Sequence, residues 1–136
     1  MILCDSGALI ALLNSEDPAH SRCAEAIQSL PAHPLLVTIP SFVEAMYFLG
    51  KLGGTVFQNH LWTLWTQGKV ALHCPSEAEL QRMQTLMAKY ADVPMDLADA
   101  SIVAAAEVLN LDTVFTIDSD FYVYRRQDKH PFNVIP

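Results

Sequence analysis

Cations are scarce in this sequence: eight lysines and arginines stand against fifteen aspartates and glutamates, giving a formal net charge of −7. Cysteine is sparser still. Cys4, Cys23 and Cys74 make an odd count with no C-x-x-C spacing, which excludes a disulfide framework and a zinc ribbon and points to a reducing, cytoplasmic setting. No long uncharged apolar run is present: Met1 to Leu13 is interrupted by Asp5, lacks a basic leader and is too short to span a bilayer, so neither a signal peptide nor a membrane helix is expected. A zinc-protease helix, a P-loop and a Rossmann glycine fingerprint are all missing, and the five histidines are scattered without ligand spacing. Ser6 has no G-x-S-x-G elbow around it, which argues against a serine nucleophile. Repeats, linkers and low-complexity tracts are also lacking. With 51% hydrophobic and 17% charged residues over 136 positions, the chain reads as one core-rich domain, residues 1–136.

What is present is a set of isolated carboxylates where apolar segments end or helices begin: Asp5, Glu44, Asp96, Asp99, Asp118 and Asp120. Burying an unpaired carboxylate costs several kcal/mol. No lysine or arginine lies beside the first four in sequence, so the economical partner is a divalent ion held by oxygen ligands, Mg²⁺ or Mn²⁺. These six acids would supply −6 of the net charge of −7, and two divalent ions would cancel about four of those charges, as in two-metal phosphoryl-transfer sites.

Periodicity predicts strands at Met1–Asp5, Leu35–Thr38, Val70–His73, Thr113–Thr116 and, more weakly, Phe132–Ile135. Helices are predicted over Gly7–Asn14, His20–Leu30, Ser41–Leu49, Val56–Thr66, Glu77–Tyr90 with Leu80, Met83, Leu86 and Met87 inward, and the alanine-rich Asp96–Leu109. A break is expected across Gly50–Gly54. Strands alternating with helices imply an α/β fold with a central parallel sheet covered on both faces, whose ligands collect at the carboxyl ends of the strands. Asp5 and Asp118 fall at such ends; Glu44 and Asp99 fall in first turns of helices starting on that side.

Each acid also has a purely structural reading. Asp5 and Asp96 suit helix N-caps, Ser41-Phe42-Val43-Glu44 matches the capping box S-x-x-E, and Asp118-Ser119-Asp120 suits an Asx turn. Asp99, one turn after Asp96, gains roughly 0.3–1 kcal/mol from the helix terminus. Repulsion between carboxylates 4 Å apart, about 4 kcal/mol at an effective dielectric of 20, outweighs that gain and still calls for a cation.

Taken in order, Leu3-Cys4-Asp5-Ser6-Gly7-Ala8-Leu9-Ile10-Ala11-Leu12, then Glu44, then Asp96-Leu97-Ala98-Asp99-Ala100, then Phe115-Thr116-Ile117-Asp118-Ser119-Asp120-Phe121, the pattern resembles the PIN-domain family of metal-dependent ribonucleases, in particular the VapC-like toxins of bacterial toxin–antitoxin pairs. The resemblance spans nearly the whole chain. It implies a three-layer α/β/α fold, an acidic quartet of Asp5, Glu44, Asp99 and Asp118 with Asp5 and Asp99 as direct metal ligands, auxiliary acids at Asp96 and Asp120, and hydroxyls from Ser6 and Thr116 beside the metal waters. It also implies an RNA substrate cut to 5′-phosphate and 3′-hydroxyl ends, a homodimer, and a small antitoxin that inserts near the acids. Phosphate contacts fall to few residues: Arg125 and Arg126 as a phosphate-orienting pair or a plain surface pair, with Lys51 and Lys129.

Trp62 and Trp65 lie off the Phe57, Leu61 and Leu64 stripe of their helix and are expected at a partner surface, with base stacking as the alternative. The rival to a nuclease is a non-catalytic PIN-like binding module. A phosphatase or phospho-acceptor domain fits less well, since Asp5-Ser6-Gly7 lacks a second aspartate two residues on and no lysine follows the fourth strand.

Overall fold

Both faces of every central strand are apolar, and the alternation of side chains sorts them to two separate cores. A computed structural model, which describes residues 1–136, contains β1 (Ile2–Cys4), α1 (Ser6–Leu13), α2 (His20–Gln28), β2 (Leu35–Thr38), α3 (Ile39–Thr66), β3 (Val70–His73), α4 (Glu77–Lys89), α5 (Leu97–Leu109), β4 (Thr113–Phe115), β5 (Arg125–Arg126), β6 (His130–Pro131) and β7 (Asn133–Ile135). Five strands pair in parallel in the order β3-β2-β1-β4-β7. On one face Leu3, Leu36 and Val114 pack under α4 and α5; on the other Cys4, Leu35, Val37 and Phe115 pack under α1, α2 and α3. This is the three-layer α/β/α arrangement expected, and the period-2 alternation produces it.

Helix α5 is the central element. Ala98 to Ala106 are all buried, because small side chains let the helix lie close against both the sheet and α4. Asp96 caps it, accepting from the Asp99 amide at 2.8 Å.

The expected break between two helices is a sharp turn inside α3. The backbone leaves the helical region at Gly54, whose φ of 65° and ψ of −152° suit only glycine. The arms then fold back: the Phe42 ring meets Trp62, and Gln58 Nε2 donates to the Met46 carbonyl at 3.3 Å. Gly50 permits that approach, since a Cβ there would lie 2.4 Å from Gln58 Nε2.

Three expectations shift. Helix α3 begins two residues before Ser41, because Thr38 caps it and Pro40 occupies its first turn, where a missing N–H costs nothing. Leu80 is exposed rather than inward, while Met83 and Leu86 are buried. The antiparallel β5–β6 hairpin has no counterpart in the sequence reading. Arg82 holds its turn by bonding both Glu107 and Asp128, and the Gln127 amide donates to Glu107.

Candidate metal centre

Three of the predicted acids converge at the carboxyl ends of β1 and β4. Asp5 follows β1, Asp118 follows β4 and Asp99 sits in the first turn of α5, and each offers a carboxylate oxygen within 4.8 Å of the other two. With Glu44 and Asp96 they line a pocket of about 340 Å³, whose other walls are Ser6, Gly7, Ile10, Phe48 and Ile117. A larger apolar cavity of about 580 Å³ opens at the other end of the sheet, beneath Leu30 to Pro34, and no carboxylate lines it.

The local structure explains how each acid is fixed. Asp5 is an N-cap as well as a pocket wall: Oδ1 accepts from the Ser6 amide at 2.8 Å and Oδ2 from the Thr116 hydroxyl at 3.0 Å. Thr116 also accepts from the Asp118 amide at 3.0 Å, so one side chain ties two acids together. Asp118 makes the expected Asx turn, accepting from the Asp120 amide at 2.9 Å, which turns Asp120 out of the pocket lining. Glu44 is not part of a capping box. Ser41 lies inside α3, and Glu44 instead takes a hydrogen bond from the Ser6 hydroxyl. Asp96 caps α5 and remains exposed at the pocket edge.

Arg125 and Arg126 do not line this pocket. The Arg125 Nη1 donates to the carbonyls of Tyr122, Val123 and Tyr124, and Arg126 stacks over Phe132 and donates to the Pro131 carbonyl. Arg125 thus braces the turn before the hairpin, and Arg126 ties its two strands together.

Two features escaped the sequence reading. Thr38, Ser41 and Ser101 form a buried hydroxyl cluster, Thr38 Oγ1 lying 3.0 Å from Ser41 Oγ and 2.7 Å from Ser101 Oγ, which fixes the starts of α3 and α5 relative to each other. Tyr124 is fully buried among Tyr90 and Phe121, and its hydroxyl donates to Asp99 Oδ2 at 2.9 Å. A single tyrosine in an aromatic segment carries no pattern that marks it as a ligand's partner.

The electrostatics are those of an uncompensated anionic site. Asp5 and Asp99 are 5% and 7% exposed, yet none of the six acids forms an ion pair; the pairs present join His73 to Glu79, Arg82 to Glu107 and Asp128, and Lys89 to Asp128. Burial, with the neighbouring charges of Asp118 and Glu44, pushes Asp5 up to about 6 against the bonds from Thr116 and Ser6. Burial, then the charges of Asp96 and Asp5, pushes Asp99 up to about 8. Hard oxygen donors, converging and lacking any protein cation, fit a divalent ion of the Mg²⁺ or Mn²⁺ type. Asp5, Asp99 and Asp118 would hold it, with Glu44 across the pocket.

Tyr124→Phe removes one hydroxyl and leaves the aromatic packing in place. Freed from that donor, Asp99 loses a fixed orientation, and Mn²⁺ affinity is expected to fall roughly 10- to 100-fold. Electron paramagnetic resonance titration checks this; unchanged affinity would assign the hydroxyl to packing alone.

Comparison with known proteins accords with this geometry. The family model described as PIN domain matches residues 2–127. Ribonuclease VapC26 of Mycobacterium tuberculosis is 26% identical over 136 residues, spanning 99% of this chain and 100% of that protein. Among solved structures, M. tuberculosis VapC20, described as a Sarcin-Ricin loop cleaving toxin, superposes with a TM-score of 0.84 at 15% identity, over 96% of this chain and 100% of that one. VapBC-1 of nontypeable Haemophilus influenzae gives a TM-score of 0.67 at 18% identity, over 98% of each chain. A toxin–antitoxin complex from Klebsiella pneumoniae gives 0.66 at 21% identity, over 89% and 90%. A family match from β1 through β5, on a fold that gathers its carboxylates where β1 and β4 end, places this chain in the PIN domain family.

Proposed function

We propose that this protein is an endoribonuclease dependent on Mg²⁺ or Mn²⁺ and the toxin of a toxin–antitoxin pair. The observation that carries the reading is the meeting of Asp5, Asp99 and Asp118 in an open pocket with no protein cation to neutralise them. The relative named as a ribonuclease supports the activity, and the structural neighbour described as a toxin–antitoxin complex supports the antitoxin partner.

A bound divalent ion would supply the charge that acidifies a water molecule and neutralises the scissile phosphate. The chain's own residues do the positioning. The Asp5 carboxylate is held by two hydrogen bonds, from the Ser6 amide and the Thr116 hydroxyl, and that of Asp99 by one, from the Tyr124 hydroxyl, at the first turn of α5. Glu44, steadied by Ser6, faces the pocket from α3 and is placed to take a proton from an attacking water. Because the carboxylates are already oriented, little reorganisation is needed as charge develops.

Trp62 and Trp65 are half-exposed and meet edge to face at 5.8 Å, consistent with the proposed burial at a homodimer or antitoxin surface. Purified protein incubated with a mixed RNA pool tests the activity. Cleavage to 5′-phosphate ends is expected with Mg²⁺ or Mn²⁺ and none in excess chelator. A chain that binds RNA or an antitoxin and never cleaves would be a PIN-like binding module instead.

A further inference from the structure

The face of α3 that leads away from the acidic pocket has an ordered chemistry. Glu44, Tyr47, Phe48 and Lys51 stand at i, i+3, i+4 and i+7, one stripe of the helix, rising about 10 Å from the first to the last. Glu44 and Phe48 both line the pocket. Phe48 and Tyr47 are 47% and 57% exposed, and their rings meet edge to face at 5.4 Å. The Lys51 ammonium lies 5.2 Å from the Tyr47 ring centroid.

Large aromatics exposed at the rim of an anionic pocket are expensive to leave in water, and neither ring packs into the α3 side of the core. The charge balance says what should cover them. A chain of net charge −7 has few cations to hold a polyanion, so affinity for a nucleic acid must come from contacts other than phosphate neutralisation. Stacking of a base on an aromatic ring is such a contact and is tolerant of sequence. Flat rings next to the pocket, followed by one ammonium, supply a base platform and a phosphate contact in continuity with the acids.

We propose that Tyr47 and Phe48, with Lys51 beyond them, form a stacking shelf that holds single-stranded RNA bases against α3 and delivers the neighbouring phosphodiester to the acidic pocket. This rests on the ribonuclease reading above and adds to it the residues that grip the substrate. It also predicts that the substrate segment at the site is unpaired, since duplex bases cannot reach an exposed ring.

The test measures binding of fluorescein-labelled RNA decamers, oligo(A), oligo(U) and an abasic strand, by anisotropy. The protein is the full chain carrying Asp99→Asn, so that the RNA persists while Mg²⁺ is present. Tyr47→Ala and Phe48→Ala are each expected to weaken oligo(A) binding roughly 5- to 100-fold. Phe48→Trp should retain it, and the abasic strand should bind weakly and respond to neither alanine variant. Lys51→Ala should lower the salt dependence by about one phosphate contact. Both rings are exposed, so folding is not at stake, and melting curves verify that. Oligo(A) affinity unchanged in both alanine variants, or an abasic strand bound as tightly as oligo(A), overturns the shelf. So does a loss confined to association with a protein partner. Cleavage by the wild-type chain is scored separately: a chain that binds through the shelf and cleaves nothing defeats the ribonuclease reading alone, and one that cleaves without needing either ring defeats the shelf alone.

Discussion

Asp99→Asn and Asp5→Asn are each expected to reduce RNA cleavage by about a hundred- to a thousandfold, the scale on which removing one electrostatic stabiliser at a reacting centre acts. Both substitutions keep the shape and most hydrogen bonds. An asparagine at 99 still accepts from Tyr124, and one at 5 still accepts from the Ser6 amide, so the loss measures ligand charge rather than folding. Glu44→Gln should cost less, because Glu44 stands across the pocket and is not among the three acids that converge most closely. Initial rates on an RNA pool, at matched metal concentration, separate these cases. Full activity in either aspartate variant would remove Asp5 or Asp99 from the site.

The same two carboxylates make the metal-free protein pH-sensitive in an unusual direction. Their values of about 6 for Asp5 and about 8 for Asp99 lie above the ordinary 3.8, so folding favours their protonated forms. The associated stability is fully present below pH 3.8 and is lost as the pH rises through 6 and then 8. Glu79, whose carboxyl is held below its ordinary value by the Ser76 amide and His73 against the cost of burial, acts oppositely, its contribution disappearing as the pH falls below the usual carboxylate range. The informative window is therefore pH 5 to 8.5. Thermal melts in chelator are expected to show wild-type Tm falling across that window, a flatter profile for Asp99→Asn, and a higher Tm for the variant at pH 8. Mn²⁺ should raise wild-type Tm by mass action and do little for the variant. Destabilisation of Asp99→Asn at pH 8 without metal would mean that Asp99 serves the helix start and not a cation.

The acids were legible because a carboxylate at the edge of an apolar run is an anomaly that demands a partner, and Asp5, Asp99 and Asp118 are each of that kind. Fold class followed from strand and helix alternation, since both cores are built from adjacent residues on opposite strand faces. The misreadings have local causes. At Glu44, S-x-x-E imitated a cap, although Pro40 marks the earlier helix start. The β5–β6 hairpin was hidden because its turn places Gln127 and Asp128 at φ of 45° and 59°, where sequence signals favour glycine or asparagine. Arg125 Nη1 and Arg126 Nη2 donate to carbonyls of that unseen hairpin and the turn before it, contacts that sequence does not announce. Tyr124 was silent because its contact with Asp99 spans 25 residues and leaves no periodicity.

The central claim, that a divalent ion held by Asp5, Asp99 and Asp118 is what RNA cleavage depends on, is tested most directly by one titration. Chelator-stripped protein is titrated with Mn²⁺ while ion binding, by electron paramagnetic resonance, and RNA cleavage are followed in the same samples. Binding and cleavage are expected to rise together in the wild type and to be lost together in Asp99→Asn. Cleavage in the stripped protein, or Mn²⁺ binding that Asp99→Asn leaves unchanged, would contradict it.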